Sequence, residues 1–147
     1  MAKLNMYCLT LDPSHLPLIK KLEYIPVGLG EARFDKKEWT QDCLGNNIAE
    51  KNKYYGEYTF HYYLWKNNIL DYDGWTGFCQ YRKFWKKNSD IIEDNSFNNL
   101  KENLLKEIPS ELENYETIIG EELFINKFRF SKFIKHNFKK MLFSPHL

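Results

Sequence analysis

The sequence predicts an α/β domain, and three observations carry that expectation. A short apolar segment opens the chain and breaks at Asp12-Pro13-Ser14. Aromatic residues then recur at three- and four-residue spacings over 52–70. A polar turn follows, and behind it comes a second apolar segment over 75–81. Strand, helix, turn and strand in that rhythm belong to sheets covered by helices. The 147 residues suit one domain, and a chain of this size buries about 68–70% of its unfolded surface on folding.

Taken in order, residues 3–11 read as a buried strand. Residues 24–30 read as a second short strand or extended segment, in which Pro26 excludes a regular central strand. Residues 31–50 are polar and read as loop. The strongest helix spans 52–70, with Tyr54, Tyr58, His61, Tyr62, Trp65 and Ile69 as its stripe and Asn52 as N-cap. Asp71-Tyr72-Asp73-Gly74 is a turn, and 75–81 is a buried strand running into Arg82-Lys83. Residues 88–96 read as loop. Leu100, Leu104 and Leu105 predict a helix over 97–107, ended by Pro109. Residues 115–120 read as another short strand. Phe130, Phe133, Ile134, Phe138, Met141 and Leu142 mark one stripe of a lysine-rich helix closed by Pro145. The expected division is an α/β body over 1–122 and a basic amphipathic tail over 123–147.

Composition narrows the function classes. Hydrophobic residues at 43% and charged residues at 28% exclude a wholly disordered chain. The net charge of +1 conceals a split: residues 1–122 sum to −5 and the last 25 to +6. The acidic body argues against a nucleic-acid binder. Cys8, Cys43 and Cys79 are widely spaced and form no C-x-x-C, so neither a disulfide framework nor a zinc site is expected. The N-terminal segment does not read as a signal peptide, and no apolar run is long enough to span a bilayer. Cytoplasmic residence is the expectation. The sequence contains no G-x-G-x-x-G, P-loop, H-E-x-x-H or G-x-S-x-G.

Two clusters carry polar chemistry. Asp42-Cys-Leu-Gly-Asn-Asn-Ile-Ala-Glu-Lys-Asn52 offers amides and side chains suited to a nucleotide or to sugar hydroxyls, or forms an Asx-rich turn that caps the following helix. Gly77-Phe-Cys-Gln-Tyr-Arg-Lys-Phe-Trp85 delivers Gln80 and Arg82 to the C-terminal end of a strand, where open α/β sheets bind ligands. Arg82 there either grips a diphosphate or is a surface residue beyond a core strand. Glu57, in the aromatic helix, is either solvated or a partly buried carboxylate paired with Arg82 or Lys66.

In this order the clusters resemble a family of bacterial capsular and exopolysaccharide glycosyltransferases, the domain-of-unknown-function family forty-four twenty-two. Its pattern runs P-V-x-V-G, then D-x-x-G-D-N-I-S-x-K-N, then C-E-L-T-x-x-Y-W-x-W-K-N, then G-L-C-H-Y-R-R-Y-F. The matching blocks are Pro26-Val-Gly-Leu-Gly30, Asp42 to Asn52, Gly56-Glu-Tyr-Thr-Phe-His-Tyr-Tyr-Leu-Trp-Lys-Asn67 and Gly77 to Trp85. Two departures stand out. The acid of G-D-N is Asn46 here, and the histidine of H-Y-R is Gln80.

The resemblance implies a GT-A-like nucleotide-sugar-binding domain, shorter than its relatives, that transfers a hexose from a UDP-sugar to a lipid-linked surface-glycan acceptor. It implies donor contacts from Tyr7 at the end of the first strand, Asn46, Asn47, Lys51, Asn52, Lys66, Gln80, Tyr81 and Arg82. Asp42 and Glu57 become the carboxylate candidates for catalysis. GT-A enzymes hold a divalent metal on a D-x-D at a strand end, but Asp71-x-Asp73 precedes the strand, so no cofactor is assigned and Arg82 with Lys83 is expected to neutralise the diphosphate. The tail over 124–143 resembles an interfacial helix for the inner face of the cell membrane, or else packs on the core. The competing function is a non-catalytic nucleotide- or glycan-binding module.

Overall fold

The computed structural model describes residues 2–30, 33–70, 73–87 and 97–120. The expected basic tail and the loop at 88–96 lie outside them, as do Asp71 and Tyr72 of the expected turn. The chain runs β1 (Ala2–Thr10), a 3-10 turn at Pro13–His15, α1 (Leu16–Lys21), β2 (Ile25–Gly28) and β3 (Thr40–Gln41). It continues through a 3-10 turn at Ala49–Lys51, α2 (Asn52–Tyr55), α3 (Tyr58–Lys66) and β4 (Trp75–Gln80). Then come α4 (Phe97–Asn103), β5 (Glu107–Ile108) and a 3-10 turn at Ser110–Leu112.

The sheet is parallel in the order β3-β2-β1-β4, and β5 pairs antiparallel with the first residues of β1. This is a mixed α/β domain with a parallel core, as the sequence rhythm predicted. Strand alternation divides the side chains of β1 between two apolar clusters. Met6 and Cys8 pack with Ile19 and Leu22 of the α1 side, together with Cys79 and Leu104. Leu9 packs with Val27 and with Phe60, Tyr63 and Leu64 of α3, and Tyr7 and Phe78 close against them. The chain therefore leaves β1 for β2 with α1 on one face and returns past β1 to β4 with α3 on the other.

Several expectations are corrected. The 52–70 helix is two helices. Gly56 adopts φ +56 and ψ −128, open to glycine and costly for any residue with a Cβ, and it ends α2. Asn52 is the first residue of α2 rather than a cap outside it, and its Nδ2 donates to Gly56 O at 2.8 Å and Thr59 Oγ1 at 3.0 Å. The buried face of α3 is Thr59, Phe60, Tyr63 and Leu64, one residue out of phase with the expected stripe. Tyr54 is 75% exposed, Tyr58 69% and Trp65 60%. Pro26 does lie in an internal strand. It is tolerated because β3 pairs only with Val27 and Gly28, so the ladder on that side begins after the proline.

Helix α4 ends at Asn103, well short of Pro109. Leu104 and Leu105 are buried beyond it, the main chain of Leu105 donating to Trp85 O, and β5 follows. Residues 115–120 form no strand; Tyr115 and Ile119 are exposed. Their apolar character misled because no described residue pairs their backbone into the sheet.

The end of α1 carries a charged staple. Glu23 has φ +64, with Glu23 N bonded to Lys20 O and Tyr24 N to Ile19 O, the double closure that ends a helix in a left-handed residue. Its carboxylate pairs with Lys101 at 2.6 Å and with Lys106, and these partners hold its pKa down to about 2, against 4.5 for an ordinary glutamate. A lowered carboxyl pKa contributes stability that is complete above the unfolded value and is lost as pH falls through the folded one. Glu23→Gln is expected to remove that dependence. The difference in urea midpoint between wild type and variant should shrink steadily as pH drops from neutral towards 2. A difference that stays constant over that range would refute the pairing.

Candidate functional site

The C-terminal ends of β1, β2 and β4 open onto one edge, and β1 is where the direction of winding reverses. Ligands of open α/β sheets sit at such a place. Strand β1 ends on Thr10, whose Oγ1 bonds His15 Nδ1 at 2.7 Å and accepts from Asp12 N at 3.1 Å. Asp12 caps the following 3-10 turn through Ser14 N. The His15 ring lies flat on Tyr81, centroids 3.8 Å apart and 14° from parallel. Register explains the meeting: Leu9 pairs with Gln80, so the loops beyond them are neighbours.

After β4 the chain turns tightly. Gln80 N bonds Lys83 O at 3.2 Å and Lys83 N bonds Gln80 O at 3.1 Å, leaving Tyr81 and Arg82 at the two corners. Arg82 is exposed, with its guanidinium 5.0 Å from the Tyr81 ring centre. Gln80 Nε2 donates to Glu57 Oε1. The carboxylate of Glu57 thus finds neither Arg82 nor Lys66, its expected partners, but an amide at the end of β4. Glu57 is half-buried at the start of α3 and Gln80 is half-buried beside it.

Behind Glu57 stands a buried network. Asp42 is fully enclosed. Its Oδ1 accepts from Gly30 N at 2.8 Å and its Oδ2 from Thr59 Oγ1 at 2.5 Å. Thr59 also bonds Asn52 and Gly56 O. One carboxylate therefore ties the loop after β2 to the junction of α2 and α3, which carries Glu57. Burial pushes the pKa of Asp42 up, against the pull of its bonds to Thr59 and Gly30.

The structure brings Asp42, Asn52, Glu57, Gln80, Tyr81 and Arg82 to this edge. Lys51 is exposed on the turn before α2. Other expected site residues lie elsewhere. Tyr7 is inside β1, which continues to Thr10, and its ring meets Phe60 and Phe78 at 5.3 and 6.0 Å. The main chain of Asn46 is bound at the opposite end of α3: Asn46 N donates to Asn67 Oδ1 at 3.0 Å while Asn67 Nδ2 donates to Asn46 O at 2.9 Å. Gly45 is required there, because a Cβ would come 2.4 Å from Asn67 Oδ1 and its φ is +55. Asn47 bonds within its own loop, to Cys43 O and Gly45 O, and accepts from Ala49 N. Lys66, near the end of α3, lies over the Trp65 ring at 3.9 Å. Sequence reading missed His15, Thr10, Gly30 and Thr59. The Asp-Pro-Ser break after β1 was the available signal for His15.

A cavity of about 850 Å³ lies apart from this edge, against the earlier residues of β1 and β4. Leu4, Met6, Leu64, Trp75 and Phe78 line it, with Glu113 and Glu116 but no lysine or arginine among the described residues, a lining unsuited to a diphosphate. Burial lowers the pKa of His61 on its wall, and His61 Nε2 has no hydrogen-bond partner among the described residues. No group of three His, Cys, Asp or Glu side chains able to hold a metal occurs among the described residues. No described helix is long and apolar enough to cross a membrane.

Comparison with curated proteins and with solved structures found no match. The model of the domain of unknown function DUF4422 matches residues 6–144, and the chain belongs to that family.

Proposed function

We propose that this protein is a glycosyltransferase that moves a hexose from a nucleotide-sugar donor, a UDP-sugar, to a bacterial surface-polysaccharide acceptor. One observation carries the reading: Gln80 orients the Glu57 carboxylate at the C-terminal edge of the parallel sheet, where the winding reverses. A held carboxylate beside an open edge suits a general base for a sugar hydroxyl. Arg82 and Lys83, at and after the corner of the β4 turn, meet the donor diphosphate in place of a metal. Tyr81 and Asn52 flank the donor, and Lys51 adds positive charge at the rim. Asp42 acts through Glu57, by fixing the α2–α3 junction, and Asn46 and Asn47 act by shaping the loop bound to α3.

Titration calorimetry with UDP and UDP-hexoses, run beside a transfer assay, tests this. Arg82→Ala is expected to weaken UDP binding at least tenfold, a loss of about 1.4 kcal/mol or more. The thermal midpoint should hold, since Arg82 is exposed. An unchanged affinity would remove Arg82 from the site. Transfer that stops on chelation and returns with manganese would assign the diphosphate to a metal instead. Gln80 favours a second reading. An amide carries no transferable proton, and the resembling family pattern has histidine there, so a binding module without turnover is the alternative. UDP binding with neither hydrolysis nor transfer would select it.

A further inference from the structure

We propose that Asp12 and His15, in the loop after β1, form a subsite for the ribose hydroxyls of the nucleotide donor. The assignment rests on the transferase reading above and adds the part of the donor that these two residues recognise. Their side chains offer opposite hydrogen-bonding characters across a short gap. Thr10 is buried, and its Oγ1 already accepts from Asp12 N at 3.1 Å. Among the described residues the hydroxyl proton has one acceptor, His15 Nδ1 at 2.7 Å. Nδ1 therefore accepts, and the ring proton sits on Nε2. Nε2 stands 4.0 Å from Asp12 Oδ2, too far for a direct hydrogen bond. A hydroxyl oxygen between them accepts from Nε2–H and donates to Oδ2, at about 2.8 Å on each side. An ionised phosphate oxygen does not fit there, because it has no proton to give and the carboxylate repels it. The Asp12 side chain is 57% exposed and that of His15 23%, so a ligand reaches the gap from solvent.

Position selects the ribose over the hexose. Tyr81 packs against the cluster on the α1 face of the sheet, and the His15 ring lies on it at 3.8 Å. Glu57 stands at the start of α3, which covers the opposite face, and is held there by Gln80. Arg82 follows Tyr81, its guanidinium 5.0 Å from that ring centre. The reacting carbon of the hexose has to lie on the Glu57 side. With the diphosphate at Arg82, the nucleoside then falls on the α1 side, beside Asp12 and His15. The imidazole is also fixed before any ligand arrives, by Thr10 on Nδ1 and by Tyr81 on its face. A group already locked in place loses little freedom when it binds.

The full chain is titrated calorimetrically with UDP and with dideoxyuridine diphosphate, which keeps the base and the diphosphate and lacks both ribose hydroxyls. UDP is expected to bind more tightly by about tenfold, the worth of a hydrogen bond to a charged group. Asp12→Asn keeps an oxygen for Ser14 N and puts an amino group where Oδ2 accepts. In that variant the preference for UDP should shrink to about threefold or less, with the thermal midpoint in place. His15→Phe keeps a ring on Tyr81 and removes Nε2–H, so it should lose the preference too. It also strips Thr10 of its acceptor and lowers the midpoint, so Asp12→Asn is the deciding variant. Arg82→Ala should weaken both ligands by the same factor and preserve the preference. Equal affinity of the wild type for the two ligands overturns the subsite and leaves the transferase reading standing. A preference that survives both Asp12→Asn and His15→Phe does the same. Absence of any UDP binding removes the transferase reading itself, and the subsite with it.

Discussion

Asp42→Ala is expected to destabilise the protein by about 2–4 kcal/mol, because it leaves two buried donors, Gly30 N–H and the Thr59 hydroxyl, without their acceptor. Thr59 retains Gly56 O as an alternative acceptor, which places its share at the low end, whereas Gly30 N has Asp42 alone as its partner among the described residues. Asp42→Asn keeps one acceptor oxygen and should cost about 1 kcal/mol. The two variants also separate burial from hydrogen bonding. Burial raises the pKa of Asp42 above 3.8, so the folded state holds its proton more tightly than the unfolded chain does. The stability contributed in this way is fully present below the unfolded pKa and is lost as pH rises through the folded value. The stability of wild type relative to Asp42→Asn should therefore fall from acid to neutral pH. Urea unfolding at a series of pH values reads this directly. A gap that widens with rising pH would mean that the bonds from Gly30 and Thr59 outweigh desolvation.

Asp42 also shows what could and could not be read from the chain. A carboxylate in a Gly- and Asn-rich loop looks like a site residue, and nothing local says that Thr59 and Gly30 will enclose it. β1 and β4 were legible because each is an apolar run bounded by turn chemistry. Helix α3 was legible as a helix but not in its facing. It has apolar or aromatic residues on two sides, so periodicity alone cannot choose between Phe60, Tyr63 and Leu64 and the row through Tyr58 and Trp65. The sheet decides, by offering Leu9, Val27 and Phe78 to the first set. β5 was illegible because two residues carry no period. The strand edge where Gln80 and Arg82 stand was readable from position, whereas the Glu57–Gln80 contact joins residues 23 apart and depends on how α3 lies against β4.

If Glu57 is the base, Glu57→Gln should lower kcat for sugar transfer by about 10²–10⁴-fold, the range that a positioned acid–base group supplies. The substitution keeps the shape of the side chain and can still meet Gln80 after an amide turn, so UDP affinity should stay within twofold of wild type and the thermal midpoint should hold. That split matters more than the size of the loss, because a group that merely binds the donor would raise Kd or KM as well. Gln80→Ala gives the companion result. It leaves the carboxylate in place but frees its orientation, so a smaller fall in kcat with KM unchanged identifies Gln80 as a positioning residue. Glu57→Gln with kcat within fivefold of wild type would move the base elsewhere. Because Asp42 is enclosed among Gly30 and Thr59, the search would then turn to the loop after β1, where His15 rests on Tyr81 beside the same edge.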